Sequence, residues 1–160
     1  SRHPFSYMLT QRIRRQDRGT LGMLHKIDHV GIAVSDIEDA IRTYQGLGFT
    51  LSGRDRIDSQ KVETAFFQIG ESCIELIAAT EADSPIAKFI EKNAGKGGLQ
   101  QLAITVTDIE AELLRLKAEG YTLINESPVP GAHGTKVAFV HPKDTEGVLL
   151  ELCEHPTDNH

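Results

Sequence analysis

Apolar and polar positions follow the same order in two separate stretches of the chain. Residues 28–38 read DHVGIAVSDIE and residues 100–110 read QQLAITVTDIE. In both stretches the bulky apolar residues fall at every second position, which predicts a strand with one apolar face. The two stretches are offset by 72 residues. This spacing predicts a chain built from two repeats.

Each predicted strand leads into a predicted helix, with DAIRTYQGLGF after the first and AELLRLKAEGYTL after the second. Ser35 stands three residues before Glu38, and Thr107 three residues before Glu110, a spacing typical of a capping box at a helix start. Glycines lie near the end of both stretches, Gly46 and Gly48 in the first and Gly120 in the second, as they commonly do where helices end.

Each repeat then returns to strand character. VETAFFQIG and CIELIA follow in the first repeat, and KVAFVHP and LLELCE in the second. Each half therefore predicts a βαβββ module that is too small to bury a core alone. We expect an α+β fold of two tandem modules with paired sheets.

The repeat divides the chain into the first module at 23–80, a linker helix at 81–98, the second module at 99–155 and a tail at 156–160. We expect residues 1–22 to be an N-terminal extension, disordered or added ahead of a natural start at Met23. The remnant of an organelle presequence and a basic arm are the alternatives.

Composition and charge narrow the function classes. The formal net charge is −6, and residues 1–22 hold five arginines against one aspartate, so the rest of the chain is strongly acidic. An acidic body argues against nucleic acid as a partner. No apolar run approaches the roughly 18 residues that predict a membrane span. Two cysteines cannot build a disulfide framework, which favours a reducing compartment.

Four polar side chains recur on one predicted face of the paired strands. His29 shares a face with the small residues of its strand, and Gln101 takes the same place in the repeat. Glu75 and Glu151 each lie between two apolar residues and point away from them. Imidazole nitrogen with carboxylate and amide oxygens suits a divalent ion. The alternative is a capping histidine with carboxylates on an open sheet face.

Glu63 is a fifth candidate. It shares a face with Ala65 and Phe67, so it could reach the cavity. The alternative is an exposed carboxylate on an edge strand.

Several longer runs resemble a known family. The pair of modules with IDHVGIAVSDIEDAI, IELIA and GVLLELCE resembles the vicinal oxygen chelate (glyoxalase) superfamily. Within it, SQKVETAF, DSPIAKFIEKN and PGAHGTKVAFVHPKD resemble the methylmalonyl-CoA epimerase family. The resemblance covers about residues 26–154.

The resemblance implies a curved mixed sheet around a concave metal site. It implies an isomerase, a metal-dependent epimerase that inverts C2 of methylmalonyl-CoA or a similar CoA thioester through a metal-stabilised enediolate. The ion would be cobalt, zinc, nickel or manganese, held by His29, Glu75, Gln101 and Glu151. The catalytic bases would be Glu63 and Glu151. A cytoplasmic homodimer is the accompanying expectation, with the mitochondrial matrix as the alternative location.

Gln101 departs from the pattern of the family, which usually has a histidine there. A neutral oxygen should bind these ions more weakly than imidazole. Glyoxalase I enzymes use a glutamine beside one histidine and two glutamates, so a lactoylglutathione lyase is one alternative function. A non-catalytic small-molecule binding protein of the same superfamily is the other.

Overall fold

The computed structural model describes residues 24–157. The expectations for residues 1–22 and for the last three residues of the tail lie outside the described residues. Within the described part, no helix combines the length and the apolar character needed to cross a membrane.

The first half of the chain forms four strands and one helix. Strand β1 spans Leu24–Val34 and helix α1 spans Ile37–Gly46. Strands β2, β3 and β4 follow at Gly53–Ile57, Val62–Ile69 and Ser72–Ala79.

A short helix, α2 at Pro85–Lys92, connects this half to the second. Its N-cap is Ser84, whose side chain accepts a hydrogen bond from the Ile86 N–H. The second half then repeats the order of elements.

Strand β5 spans Gly98–Val106 and helix α3 spans Ile109–Ala118. Strands β6, β7 and β8 span Val129–Pro130, Lys136–Val140 and Leu149–Glu154. One residue pattern has therefore produced the same succession of elements twice.

The eight strands of the described residues form a single mixed sheet in the order β2-β3-β4-β1-β5-β8-β7-β6. Each half contributes four neighbouring strands, and β1 and β5 meet antiparallel at the centre. Strand β1 pairs parallel with β4, and β5 pairs parallel with β8. The predicted α+β fold with its curled mixed sheet is confirmed.

Helices α1 and α3 both cover the same face of the sheet, which we call the outer face. Helix α1 packs Ile37 and Ile41 against Ala65, Phe67 and Leu76. Helix α3 packs its apolar residues against β5, β7 and β8 in the same way. Helix α2 packs instead on the opposite, inner face, where its Ile86 contacts Ala33, Val62 and Ile77. The inner face also carries His29, Glu75, Gln101 and Glu151.

The helix starts correct the predicted capping residues. The N-caps of α1 and α3 are Asp36 and Asp108, not Ser35 and Thr107. The Asp36 carboxylate accepts the Asp39 N–H, and the Asp108 carboxylate accepts the Ala111 N–H. Both helices begin one residue later than the capping-box spacing predicts, because the neighbouring aspartate satisfies the free N–H group.

Candidate functional site

Strand register brings together four residues that are far apart in sequence. Gly31 of β1 lies between Glu75 of β4 and Gln101 of β5. Glu151 of β8 pairs with Ala103, the β5 residue opposite His29. Residues paired in a sheet point to the same side, so all four side chains emerge on the inner face.

The functional atoms of these four side chains converge. His29 Nε2 lies 2.9 Å from Glu151 Oε2 and 3.5 Å from Glu75 Oε2. Gln101 Nε2 lies 3.3 Å from His29 Nε2 and 3.5 Å from Glu151 Oε2. The four predicted metal-binding residues therefore form one cluster, which we call the His29 cluster.

A glycine makes room for Gln101. A Cβ atom added at Gly31 would lie 2.4 Å from Cγ of Gln101 and 3.2 Å from Cδ1 of Ile77. Real Cβ atoms essentially never approach a neighbour that closely. The bare backbone of Gly31 is therefore part of the site, because it lets the Gln101 side chain cross β1 toward His29.

The cluster is mostly buried, and the pKa values of Glu75 and His29 are raised. The side chains of His29, Glu75 and Glu151 are 15%, 14% and 10% exposed. Burial raises the pKa of Glu75 to about 7. Burial alone would lower the pKa of His29, but hydrogen bonds to Asp28 and Glu151 raise it to about 10. The carboxylates of Asp28 and Glu151 thus stabilise a positive charge at His29.

The donor set fits a divalent cation. Ligands held at about 2.0–2.2 Å from one ion lie roughly 3–3.5 Å from each other. The three separations measured from His29 Nε2 lie between 2.9 and 3.5 Å, and the fit to an ion otherwise rests on the chemistry of the donors. His29 can offer Nε2, Glu75 and Glu151 offer carboxylate oxygens, and a half-turn of the Gln101 amide would present its Oε1.

Asp28 supports His29 from the side opposite the cluster. Ile27 pairs with Ile104 and His29 with Ala103, so Asp28 is the extra residue of a β-bulge. Because of the bulge, His29 Nδ1 can donate to Asp28 Oδ2 at 2.7 Å. This bond leaves Nε2 of a neutral imidazole free to bind an ion.

Sequence reasoning missed Asp28, although it directly precedes His29. Strict alternation places adjacent residues on opposite faces of a strand, and only the bulge overrides that rule. The charged residue beside the histidine was the available signal. Thr105 Oγ1 also donates to Asp28 Oδ1, at 3.1 Å, and fixes the carboxylate on the inner face.

The prediction that Glu63 faces the cavity is wrong. It pairs with Ala78, and its strand neighbours Ala65 and Phe67 lie in the core under α1. The negative charge of Glu63 acts on Arg54, which binds Glu38 of α1. Glu63 therefore lies on the outer face, away from the His29 cluster.

A different carboxylate of the same region faces inward. Asp55 pairs with Thr64, and Thr64 pairs with Ile77 on the inner face. The charge of Asp55 contributes to the raised pKa of Glu75, after burial and the other charges nearby. Thr64 Oγ1 is buried and has no hydrogen-bond partner among the described residues. Asp55 was not predicted from sequence, because β2 shows no apolar alternation that would orient it.

Comparisons with known proteins identify the family of the chain. Residues 28–139 match the family model of the Glyoxalase/Bleomycin resistance protein/Dioxygenase superfamily. The human mitochondrial methylmalonyl-CoA epimerase is 38% identical over 138 residues, which cover 86% of this chain and 78% of that protein.

Solved structures give the same result. The methylmalonyl-CoA epimerase of Mycobacterium tuberculosis has a TM-score of 0.78 and 35% identity, over 89% of this chain and 96% of its own. A methylmalonyl-CoA epimerase in complex with methylmalonyl-CoA and NH4+ has a TM-score of 0.76 and 30% identity, over 84% and 96%. The resemblance to this family of isomerases, predicted from the sequence, is confirmed.

Proposed function

The chain belongs to the Glyoxalase/Bleomycin resistance protein/Dioxygenase superfamily, and we propose that it is a metal-dependent epimerase. Its substrate would be methylmalonyl-CoA or a similar malonyl-type CoA thioester, inverted at C2. The observation that carries the proposal is the convergence of His29, Glu75, Gln101 and Glu151 on the inner face. The choice of substrate is supported by the relatives named for that reaction.

The His29 cluster would hold one divalent ion, with cobalt, zinc, nickel and manganese as the candidates. When bound, the ion would neutralise negative charge that develops on the thioester oxygen as C2 loses its proton and an enediolate forms. His29 and Asp28 would fix the direction of one ligand, and Glu75 would be freed of the proton that its raised pKa allows it to hold at neutral pH.

Glu151 is our candidate for one base. Its Oε2 lies 2.9 Å from His29 Nε2 and 3.5 Å from Gln101 Nε2, and its side chain is 10% exposed. A carboxylate held in place and partly desolvated can take the C2 proton and return it.

Inversion needs a second proton donor on the other side of C2, and Glu63 is excluded because it lies on the outer face. Asp55 is our candidate for this role. It faces inward from β2 by register and lies close enough for its charge to act on Glu75.

Proton exchange tests the proposal. Metal-stripped and metal-loaded protein would be incubated with methylmalonyl-CoA in deuterated water, and deuterium at C2 measured by mass spectrometry. We expect exchange and epimerisation only in the loaded protein. The absence of any metal-dependent exchange would refute the proposed activity.

Three variants separate the roles of the carboxylates. Glu151→Gln should abolish exchange with both epimers, because Glu151 is also one of the proposed metal ligands. Asp55→Asn should stop epimerisation but leave exchange with one epimer, since one base suffices to remove and return a proton from one side. Glu63→Gln is the matched control and should behave like the unaltered protein. Equal loss in Glu63→Gln would contradict the assignment of faces.

A lactoylglutathione lyase of the glyoxalase I type is the second candidate. The specific observation that favours it is the donor set of one histidine, one glutamine and two glutamates in the cluster. Isomerisation of a glutathione hemithioacetal by the loaded protein, without C2 exchange in the CoA thioester, would establish it instead. Metal binding without either reaction would favour a non-catalytic binding protein.

We also propose that the protein is a homodimer and that it is located in the cytoplasm. Light scattering of the purified protein measures its assembly, and fractionation of the source cells measures its compartment. A monomer at micromolar concentration would contradict the homodimer. Recovery from a mitochondrial matrix fraction would contradict the cytoplasmic location.

A further inference from the structure

A second group of potential ligands lies beside the His29 cluster. Asp28, Cys153 and His155 each offer one ligand atom, and the three atoms lie within 4.8 Å of one another. His155 Nε2 is 2.5 Å from Asp28 Oδ1 and 3.8 Å from Cys153 Sγ. None of the three residues is one of the four proposed metal ligands of the His29 cluster.

Local structure explains why these residues meet. Asp28 is aimed inward by the β-bulge, and Cys153 lies on the inner face of β8, paired with Thr105. His155 directly follows the last residue of β8 and folds back to the carboxylate. Thr105 donates to Asp28 Oδ1, so the carboxylate orientation is fixed by a neighbour.

We propose that Asp28, Cys153 and His155 form a second metal site, suited to a borderline-soft divalent ion such as zinc. A thiolate, an imidazole and a carboxylate are all donors that zinc accepts, and three protein ligands would leave a fourth position for water. The proposal is independent of the reaction proposed for the His29 cluster.

The distances and exposure are compatible with such a site. Tetrahedral ligands at 2.0–2.3 Å from one ion lie roughly 3.3–3.8 Å apart. The sulfur-to-nitrogen distance of 3.8 Å already matches, and His155 must retreat from Asp28 by about 1 Å. The His155 side chain is 48% exposed and follows a strand end, so it has room to do so and leaves an entry path.

Asp28 would connect the two sites through its two oxygens. Oδ2 accepts from Nδ1 of His29, and Oδ1 faces His155. An ion on Oδ1 would withdraw charge from the carboxylate that supports His29. Occupancy of the second site should therefore weaken ion binding at the first by electrostatic coupling.

Cobalt provides the test, because a thiolate ligand gives Co²⁺ a charge-transfer absorption in the near ultraviolet that oxygen and nitrogen ligands do not give. The full chain would be stripped with chelator, kept reduced and titrated with Co²⁺. Bound metal would be measured by elemental analysis after desalting. We expect two ions per chain and a thiolate band that appears with one of them.

Matched variants identify the ligand. Cys153→Ser and His155→Ala should each remove one bound ion, and Cys153→Ser should also remove the thiolate band. Cys73→Ser is the control, since Cys73 also faces inward, opposite His29 in the register, and should keep the band. His155 is exposed, so His155→Ala keeps the test valid if the buried Cys153 variant fails to fold.

Three results would overturn the second site. They are an absent thiolate band, a band that persists in Cys153→Ser, or a number of bound ions that His155→Ala does not lower. Any of them would leave Asp28 and His155 as an ion pair only. Because the readouts are stoichiometry and absorption, they remain interpretable even if the protein shows no epimerase activity.

Discussion

Replacing Gly31 with alanine should damage the His29 cluster without changing any of its four side chains. The new Cβ would lie 2.4 Å from Cγ of Gln101, about 1 Å inside the 3.4 Å at which ordinary contact begins. Metal donors must be placed within about 0.2 Å, so a displacement of about 1 Å removes Gln101 as a ligand. We expect metal binding at least roughly tenfold weaker, or about 1.4 kcal/mol, and an unfolding free energy of the metal-free chain lower by about 1–3 kcal/mol from overpacking.

The assays are chelator competition for affinity and denaturant titration for stability. Gly53→Ala is the matched control, since a Cβ there meets no atom within 4 Å. It should leave both quantities unchanged or raise stability slightly, because alanine restricts the unfolded chain more than glycine does. In a protein that already carries Gln101→Ala, Gly31→Ala should lower the unfolding free energy far less. If Gly31→Ala behaves like Gly53→Ala, the steric reasoning is refuted.

Four further predictions address the site and the core. The raised pKa of His29 means that the metal-free folded protein keeps a proton that the unfolded chain releases. Its unfolding free energy should therefore fall by a few kcal/mol as the pH rises from 6.5 to about 10. Denaturant titrations in the presence of chelator test this, and His29→Gln should remove the dependence on pH. Gln101→His should tighten zinc or nickel binding roughly tenfold in a chelator competition, and unchanged affinity would argue against Gln101 as a ligand. Asp28→Asn should weaken binding at the His29 cluster about 10- to 100-fold by isothermal titration, with no effect expected if the bulge contact is only structural. Arg115→Met should destabilise the fold by about 2 kcal/mol, because it leaves the buried carboxylate of Glu112 without its ion pair, and a neutral thermal shift would contradict that.

The alternation of residues predicted the strands and the four-residue cluster because the four residues lie in stretches where the pairing is in register, His29–Gly31 of β1 lying between two bulges. His29 and Gln101 each start a run of small inward residues, and Glu75 and Glu151 each interrupt an apolar run, so their faces were defined by their neighbours. The repeat predicted the symmetry of the sheet for the same reason, since equivalent patterns produced equivalent pairings.

The errors arose where alternation gives no direction. Strand β3 is apolar on both sides, with Val62 packed on the inner face and Phe67 on the outer, so nothing in its sequence assigns a side to Glu63. Asp28 stands on a bulge, which depends on the register with β5 and on no local residue pattern. The helix starts shifted by one residue because Ser35 and Asp36 are both competent caps and only the aspartate is in position.

The central pairing of β1 with β5 also bears on the rate at which the protein unfolds. His29 and Glu75 come from the first half of the chain, and Gln101 and Glu151 from the second, so neither half alone presents more than two donors. A bound ion would therefore hold the halves together across a separation of 72 residues between His29 and Gln101. Contacts completed only after the halves dock slow unfolding and leave the folding rate unchanged. We expect such an ion to lengthen the lifetime of the folded chain, with no acceleration of its formation.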